Sequence, residues 1–193
     1  MVDSGIEIRA NAEDEEEEEH DEEEHGATDP HYWLSIRNAI IISQTIADDL
    51  SQRYPEHADE FSSNLETLIN DLNTADQEIR TTFTNVTNKN IITLHDAWYY
   101  FAEEYGLNIT GTFEPSPGRE PTPQYLVELM NAIEESGSTT LYSEPQLPIT
   151  GLKSFAADNK LTIAELDPVG GVEGRDSYIE LMKYNAETIA QNQ

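Results

Sequence analysis

The chain has 193 residues, 37% of them hydrophobic and 8% aromatic, enough for one full-sized domain with a core or one lobe of a larger protein. Its net charge is -29; leaving out residues 13–24 removes eleven of the 39 acids and still leaves 28 against 10 bases. Such a surface repels phosphate backbones and anionic membranes, which sets both aside as partners, and it suits cations or solubility in a salty medium. There is no cysteine, which excludes disulfides, thiolate zinc sites and a cysteine nucleophile, so any metal must be held by His, Asp, Glu or water. No apolar run approaches the ~20 residues that span a bilayer, so no direct membrane insertion is expected. The opening "MVDSGIEIRANAED" lacks the apolar core of an export signal.

In chain order, "GIEIRA" alternates and reads as a short strand. Residues 11–28 are acidic and of low complexity, and like charges at that density give nothing to bury, so a disordered loop is expected there. From Ile36 the pattern turns helical, with Ile36, Ala39, Ile40, Ser43, Ile46, Ala47 and Leu50 on one face. Pro55 ends that helix and suits the first turn of a long one over about 56–83, whose stripe is Phe61, Leu65, Leu68, Ile69, Leu72, Ile79 and Phe83. The remainder alternates. "NIITLH", "LNITGTF", "TTLYSE" and "LTIAELD" read as strands, and the helices that follow them are "DAWYYFAEEY", "PQYLVELMNAIEES", "ITGLKSFAADN" and "DSYIELMKYNAETIAQ". Asp96 and Asp176 stand where N-caps belong, and Gly106 where a C-cap does. Four strands each followed by a helix predict an α/β fold, a mostly parallel four-stranded sheet flanked by helices. Three segments result: 1–28, 29–87 with the long linking helix, and 88–193 as the α/β lobe.

Ligands of such sheets sit at the carboxyl ends of the strands. His95 ends "IITLH" and Asp167 ends "LTIAELD", both metal-capable, although a helix-end histidine and a turn aspartate are the plainer readings of each taken alone. Glu144 in "YSEPQ" occupies the same kind of position, as a partner that orients a ligating histidine or as a helix cap. Trp33, Trp98 and Tyr99 read as core aromatics, His57 as exposed, and Arg175 as an anchor for a carboxylate near Asp167.

The stretches "DPHYWLSIRNAI", "HDAWYYFAEEYGL", "EPSPGREPTP", "YSEPQ", "LDPVGG" and "DSYIELMKYN" occur in an order and at spacings that together carry a resemblance. From about Val2 to its end the chain resembles the C-terminal part of the metal-binding proteins of zinc and manganese ABC importers, the zinc branch above all. The resemblance implies a two-lobed protein with a rigid linking helix and a site of three histidines completed by a carboxylate or water. His31 in "DPH" matches the second histidine, His95 the third, and Asp167 the aspartate of the C-terminal lobe. Manganese-type relatives carry Glu at the position of His95, so histidine points to Zn2+ rather than Mn2+, in keeping with the affinity of imidazole for that ion. The implied partner is an ABC permease, and the implied place is outside the cytoplasm, in the periplasm or at the cell surface.

Two departures follow. The first histidine, its N-terminal lobe, the signal peptide and the lipid-attachment cysteine are expected upstream of Met1, so a truncated, partial or split form is expected. Ser35 stands where the family often has Asp. The acidic loop is a feature of zinc-type members, and His20 and His25 within it are candidates for loose metal collection, with incidental histidines in a solvated tail as the alternative. Two other functions stay open: a zinc hydrolase, for which Glu144 is the one candidate general base and no HExxH occurs, and a manganese-binding or adhesin-type surface protein.

Overall fold

The computed structural model describes residues 2–10, 28–114, 121–147 and 149–193. His20 and His25 lie outside them, as does most of the acidic loop. Contacts divide the chain into two units, Met1–Asp71 and Leu72–Gln193.

In the first unit, the expected strand "GIEIRA" is absent. Residues 2–5 form a turn, and among the described residues only Ala10 bridges, antiparallel to Thr28. Alternation over six residues is too short to hold a strand without a partner to pair along its length. A 3₁₀ turn over His31–Leu34 leads into α1, Ile36–Arg53. Ser35 is the N-cap, its Oγ accepting from Asn38 N at 3.1 Å. Serine and aspartate are interchangeable as caps, so the replacement of the family's Asp here keeps the helix start. Pro55–His57 makes a second 3₁₀ turn before α2, Ala58–Thr82, which carries the predicted long helix and contains the division between the units.

In the second unit, α2 contributes Leu72, Ala75 and Ile79, all buried, and Phe83 follows in a 3₁₀ turn. Phe83 meets α3, Tyr99–Tyr105, through an edge-on contact with Phe101 at 6.3 Å and a tilted one with Tyr105 at 5.8 Å. Lys183 pairs with Glu78, and Arg80 bonds Asp76 at 2.8 Å and the Glu104 carbonyl at 2.9 Å. Gly106 ends α3 at φ +67, a conformation that costs a side-chain-bearing residue energy.

The sheet comprises β1 Asn90–Thr93, β2 Asn108–Thr112, β3 Thr140–Ser143 and β4 Thr162–Glu165, in the order β2-β1-β3-β4 with every pair parallel. The fold is thus the α/β arrangement expected, with α4 Pro123–Ser136, α5 Thr150–Asp158 and α6 Tyr178–Gln191. β3 is buried along its whole length, as are Ile91, Ile92 and Thr93 of β1, which is the state of central parallel strands covered on both faces. Ile92, Leu94 and Leu141 pack with Leu129 and Ile133 of α4 and Leu152 of α5.

Two predicted caps move. α6 starts from Ser177, not Asp176: Ser177 Oγ accepts from Glu180 N while Glu180 Oε2 accepts from Ser177 N, a reciprocal capping box that an aspartate one residue earlier cannot form. At α3 the N-cap position falls on Trp98 with no side-chain cap, and Asp96 sits in the turn before it.

Tyr105 is 6% exposed, and among the described residues its hydroxyl has no hydrogen-bond partner. Burial holds this phenol neutral, well above the ordinary tyrosine range. A buried hydroxyl without a partner costs about 1–3 kcal/mol. Tyr105→Phe is therefore expected to leave stability unchanged or to raise it by roughly 1 kcal/mol in urea unfolding. A clear loss in that measurement contradicts the assignment.

Candidate metal centre

The strand order reverses at β1: the chain leaves it to one side for β2 and to the other for β3. The carboxyl ends of β1 and β3 therefore flank the switch point of the sheet, where α/β folds open a crevice. Thr93 pairs with Tyr142, and Leu94 N continues the ladder to the Tyr142 carbonyl at 2.8 Å. The next residues of the two strands are His95 and Glu144, and their side chains join: His95 Nδ1 lies 2.9 Å from Glu144 Oε2. The second carboxylate oxygen, Oε1, accepts from Trp98 Nε1 at 2.9 Å. Trp98 is 1% exposed and Glu144 5%. The indole thus fixes the carboxylate, and the carboxylate fixes the imidazole.

The proton of His95 lies on Nδ1, facing Glu144, so the lone pair falls on Nε2, the nitrogen a metal takes. The hydrogen bond from Glu144 raises the pKa of His95, and burial opposes it. Glu144, the candidate general base of the hydrolase reading, accepts a hydrogen bond at each of its oxygens.

His31 belongs to the first unit and repeats the arrangement with a nearer partner. Asp29, fully buried, accepts at Oδ1 from His31 N at 2.9 Å and from His31 Nδ1 at 2.8 Å. Asp29 N in turn donates to the Arg9 carbonyl at 2.9 Å, and Arg9 Nη1 lies 3.9 Å from Asp29 Oδ2. Pro30 and the 3₁₀ turn bring the imidazole back over the aspartate two residues earlier, and the Trp33 ring lies 5.3 Å from it. Here too the lone pair falls on Nε2.

Asp167 ends the segment after β4, on the other side of β3 from His95. Its Oδ1 accepts from Val169 N and Gly170 N, both at 2.9 Å, and its Oδ2 pairs with Arg175 Nη1 at 3.1 Å. Asn185 of α6 brackets its backbone, accepting from Asp167 N and donating to the Asp167 carbonyl, each at 2.8 Å. Gly170 has φ +74, and a Cβ there would stand 2.8 Å from the Arg175 carbonyl, so only glycine lets the loop close over the carboxylate. The guanidinium of Arg175 rests over Tyr184 at 4.4 Å.

The structure thus joins His95 to Glu144 and His31 to Asp29. Among the described residues, no three His, Cys, Asp or Glu side chains converge to metal-holding distance. Asp29 and Trp98 are the partners that the sequence reading did not assign. The Asp-Pro-His spacing was a signal for the first; the second lies 46 residues from Glu144 and leaves no local trace.

A family profile described as "ZnuA: Zinc-uptake complex component A periplasmic" matches residues 2–192. The zinc-binding protein AdcA of Streptococcus pyogenes is 31% identical over 168 residues, 84% of this chain and 33% of AdcA. The high-affinity zinc uptake system protein ZnuA of Brucella abortus is 29% identical over 85% of this chain and 50% of its own length. The chain therefore spans a third to a half of the length of these curated relatives. Among solved structures, a crystal structure of ZnuA covers the whole chain and 68% of its own with a TM-score of 0.81 at 24% identity. A zinc-bound ZnuA lacking residues 138-173 of its own numbering covers 99% of this chain and 67% of its own with a TM-score of 0.78 at 25% identity. With the profile running over nearly all of its residues, the chain belongs to the family of the periplasmic component A of zinc-uptake complexes.

Proposed function

We propose that this chain binds Zn2+ outside the cytoplasm, with His31, His95 and Asp167 among the ligands, and that the protein delivers the ion to an ABC permease. One observation carries the reading: each of the two histidines has its Nδ1 tied to a buried or nearly buried carboxylate, Asp29 or Glu144, which places the lone pair on Nε2. This carboxylate–histidine pairing sets ring orientation and raises ligand basicity. Two neutral imidazoles and one carboxylate leave a positive centre, and a tetrahedral zinc has room for a further histidine or a water. The segments 1–28, 29–87 and 88–193 are the working division for this role. His20 and His25 are proposed as a low-affinity collecting loop. The protein captures and releases an ion and carries out no bond chemistry.

Isothermal titration with Zn2+ tests the site. His31→Ala/His95→Ala is expected to bind at least about 100-fold more weakly than the wild type, since loss of a partner in such a site alone costs 10–100-fold. Equal affinity in both proteins removes the assignment. The pH dependence has a definite sign. Zinc competes with the proton at Nε2 of His95, and the raised pKa makes that proton competitive above the usual histidine value of 6.5, so affinity falls on acidification. The stability of the metal-free chain runs the other way. The His95 contribution is fully present below about 6.5, the unfolded value, and is lost as pH rises through the higher folded value.

A further inference from the structure

Two Asn-x-Thr triplets occur, Asn85-Val86-Thr87 and Asn108-Ile109-Thr110. This is the acceptor pattern for N-linked sugar on exported proteins, and short as it is, exposure together with freedom of the amide and hydroxyl from other bonds decides which copies are used. The structure separates the two.

Asn85 is the last residue of the 3₁₀ turn Phe83–Asn85 and is exposed, as is Thr87. Val86 between them is extended at φ -75 and ψ 114, and no regular structure follows until Asn90. Neither the Asn85 amide nor the Thr87 hydroxyl is engaged by another described side chain or carbonyl. The second triplet lies inside β2. Asn108 Nδ2 donates to Asn90 Oδ1 at 3.0 Å, and Asn108 N donates to the Lys89 carbonyl at 2.8 Å. Thr110 Oγ1 donates to the Ile91 carbonyl at 3.3 Å. Asn108 is exposed too, at the edge of the sheet, but its amide and the Thr110 hydroxyl are tied by these bonds to β1, with which β2 pairs along this stretch.

We propose that Asn85 is an N-glycosylation acceptor and that Asn108 is not. The amide nitrogen of Asn85 bonds to the anomeric carbon of a sugar carried on a polyprenyl phosphate or pyrophosphate. The nitrogen gives up a proton, the bond from the anomeric carbon to the phosphate oxygen breaks, and the lipid phosphate leaves with the electron pair. Asn85 precedes the amino end of β1, whereas His95 follows its carboxyl end, so the sugar and the candidate ligand lie at opposite ends of that strand. The inference rests on the extracytoplasmic reading, because the transfer takes place outside the cytosol.

Glycopeptide mapping of the protein recovered from the cells that make it, with the fractions separated, tests it. The exported protein is expected to carry sugar mass on the Asn85 peptide and none on Asn108. Asn85→Gln and Thr87→Ala each lose all of the added mass, Thr87→Ser keeps it, and Asn108→Gln changes nothing. Exported protein with a bare Asn85, or added mass that persists in Asn85→Gln, overturns the proposal. Protein confined to the cytoplasm overturns the location reading and the proposal with it. In vitro, a purified oligosaccharyltransferase with lipid-linked sugar is expected to modify Asn85 in the folded chain and Asn108 only after unfolding. Equal modification of Asn108 in the folded chain overturns the structural distinction.

Discussion

Glu144→Gln is expected to weaken zinc binding by about 10–100-fold while the chain stays folded. The substitution keeps shape and removes one acceptor. Both oxygens of Glu144 receive hydrogens, one from His95 Nδ1 and one from Trp98 Nε1. An amide offers one oxygen and one N–H group, so it satisfies only one of the two. With its oxygen on the indole, its NH2 faces Nδ1, which must then hold the lone pair; the imidazole proton moves to Nε2, the nitrogen that the ion needs. With the amide turned over, N–H meets N–H at an indole that is 1% exposed and has no recourse to water. That arrangement costs about 1–3 kcal/mol of stability. The first arrangement is cheaper for folding and worse for zinc. Titration calorimetry gives the affinity and a thermal melt gives the stability. His95→Ala combined with Glu144→Gln should lose little more than His95→Ala alone, since Glu144 acts through His95. Full zinc affinity in Glu144→Gln sinks the assignment of Nε2.

The elements that read most clearly in the sequence are those whose burial follows a single period. Leu72 and Ile79 of the expected stripe are buried on α2 and Phe83 in the 3₁₀ turn after it, although Leu68 of the same stripe is exposed, and "TTLYSE" contains the strand Thr140–Ser143, buried along its length. Strand–helix alternation gave the parallel sheet. It did not give the order β2-β1-β3-β4, because nothing in the sequence of a strand names its neighbour. The order matters here, since it makes the ends of β1 and β3 adjacent and so joins His95 to Glu144. Cap positions slipped by one or two residues for a similar reason. Asp176 and Ser177 are both good caps, and the choice fell to Ser177 because only it has Glu180 three residues on. "GIEIRA" failed as a strand because alternation is necessary for a half-buried strand but does not supply a pairing partner. At the candidate site, residue types at strand ends were legible, and so in part were the bonds of Asp167. The plainer turn reading of that aspartate describes its Oδ1, which caps two backbone amides, and the expected anchor Arg175 pairs with Glu165 and with Asp167 Oδ2 itself, a choice of carboxylate that the sequence left open.

Asp167→Ala is expected to destabilise the chain by about 1–3 kcal/mol, the range for leaving buried donors without their acceptor. The side chain is 3% exposed, and its loss leaves the amides of Val169 and Gly170 without their acceptor, while Arg175 keeps its pair with Glu165 Oε1 at 3.2 Å. The loss by itself does not separate a turn carboxylate from a zinc ligand, since either role unmakes the loop. Asp167→Asn separates them. The amide oxygen still accepts from Val169 N and Gly170 N, so the turn survives, while its NH2 faces the Arg175 N–H donors and the pair is lost, Arg175 keeping Glu165, at a cost of roughly 1–3 kcal/mol. If Asp167 ligates zinc, its replacement by a neutral amide removes a negative charge from the ion and the affinity drops about tenfold or more, a change of about 1.4 kcal/mol or more. If it only shapes the loop, affinity in Asp167→Asn matches the wild type once the protein is shown to be folded at the titration temperature. Gly170→Ala supplies the control for loop damage without a change of charge, because its Cβ would meet the Arg175 carbonyl at 2.8 Å and open the turn around an intact carboxylate. A zinc affinity that falls in Asp167→Asn and holds in Gly170→Ala assigns the effect to the charge of Asp167. The reverse pattern assigns it to the loop and removes Asp167 from the ligand set.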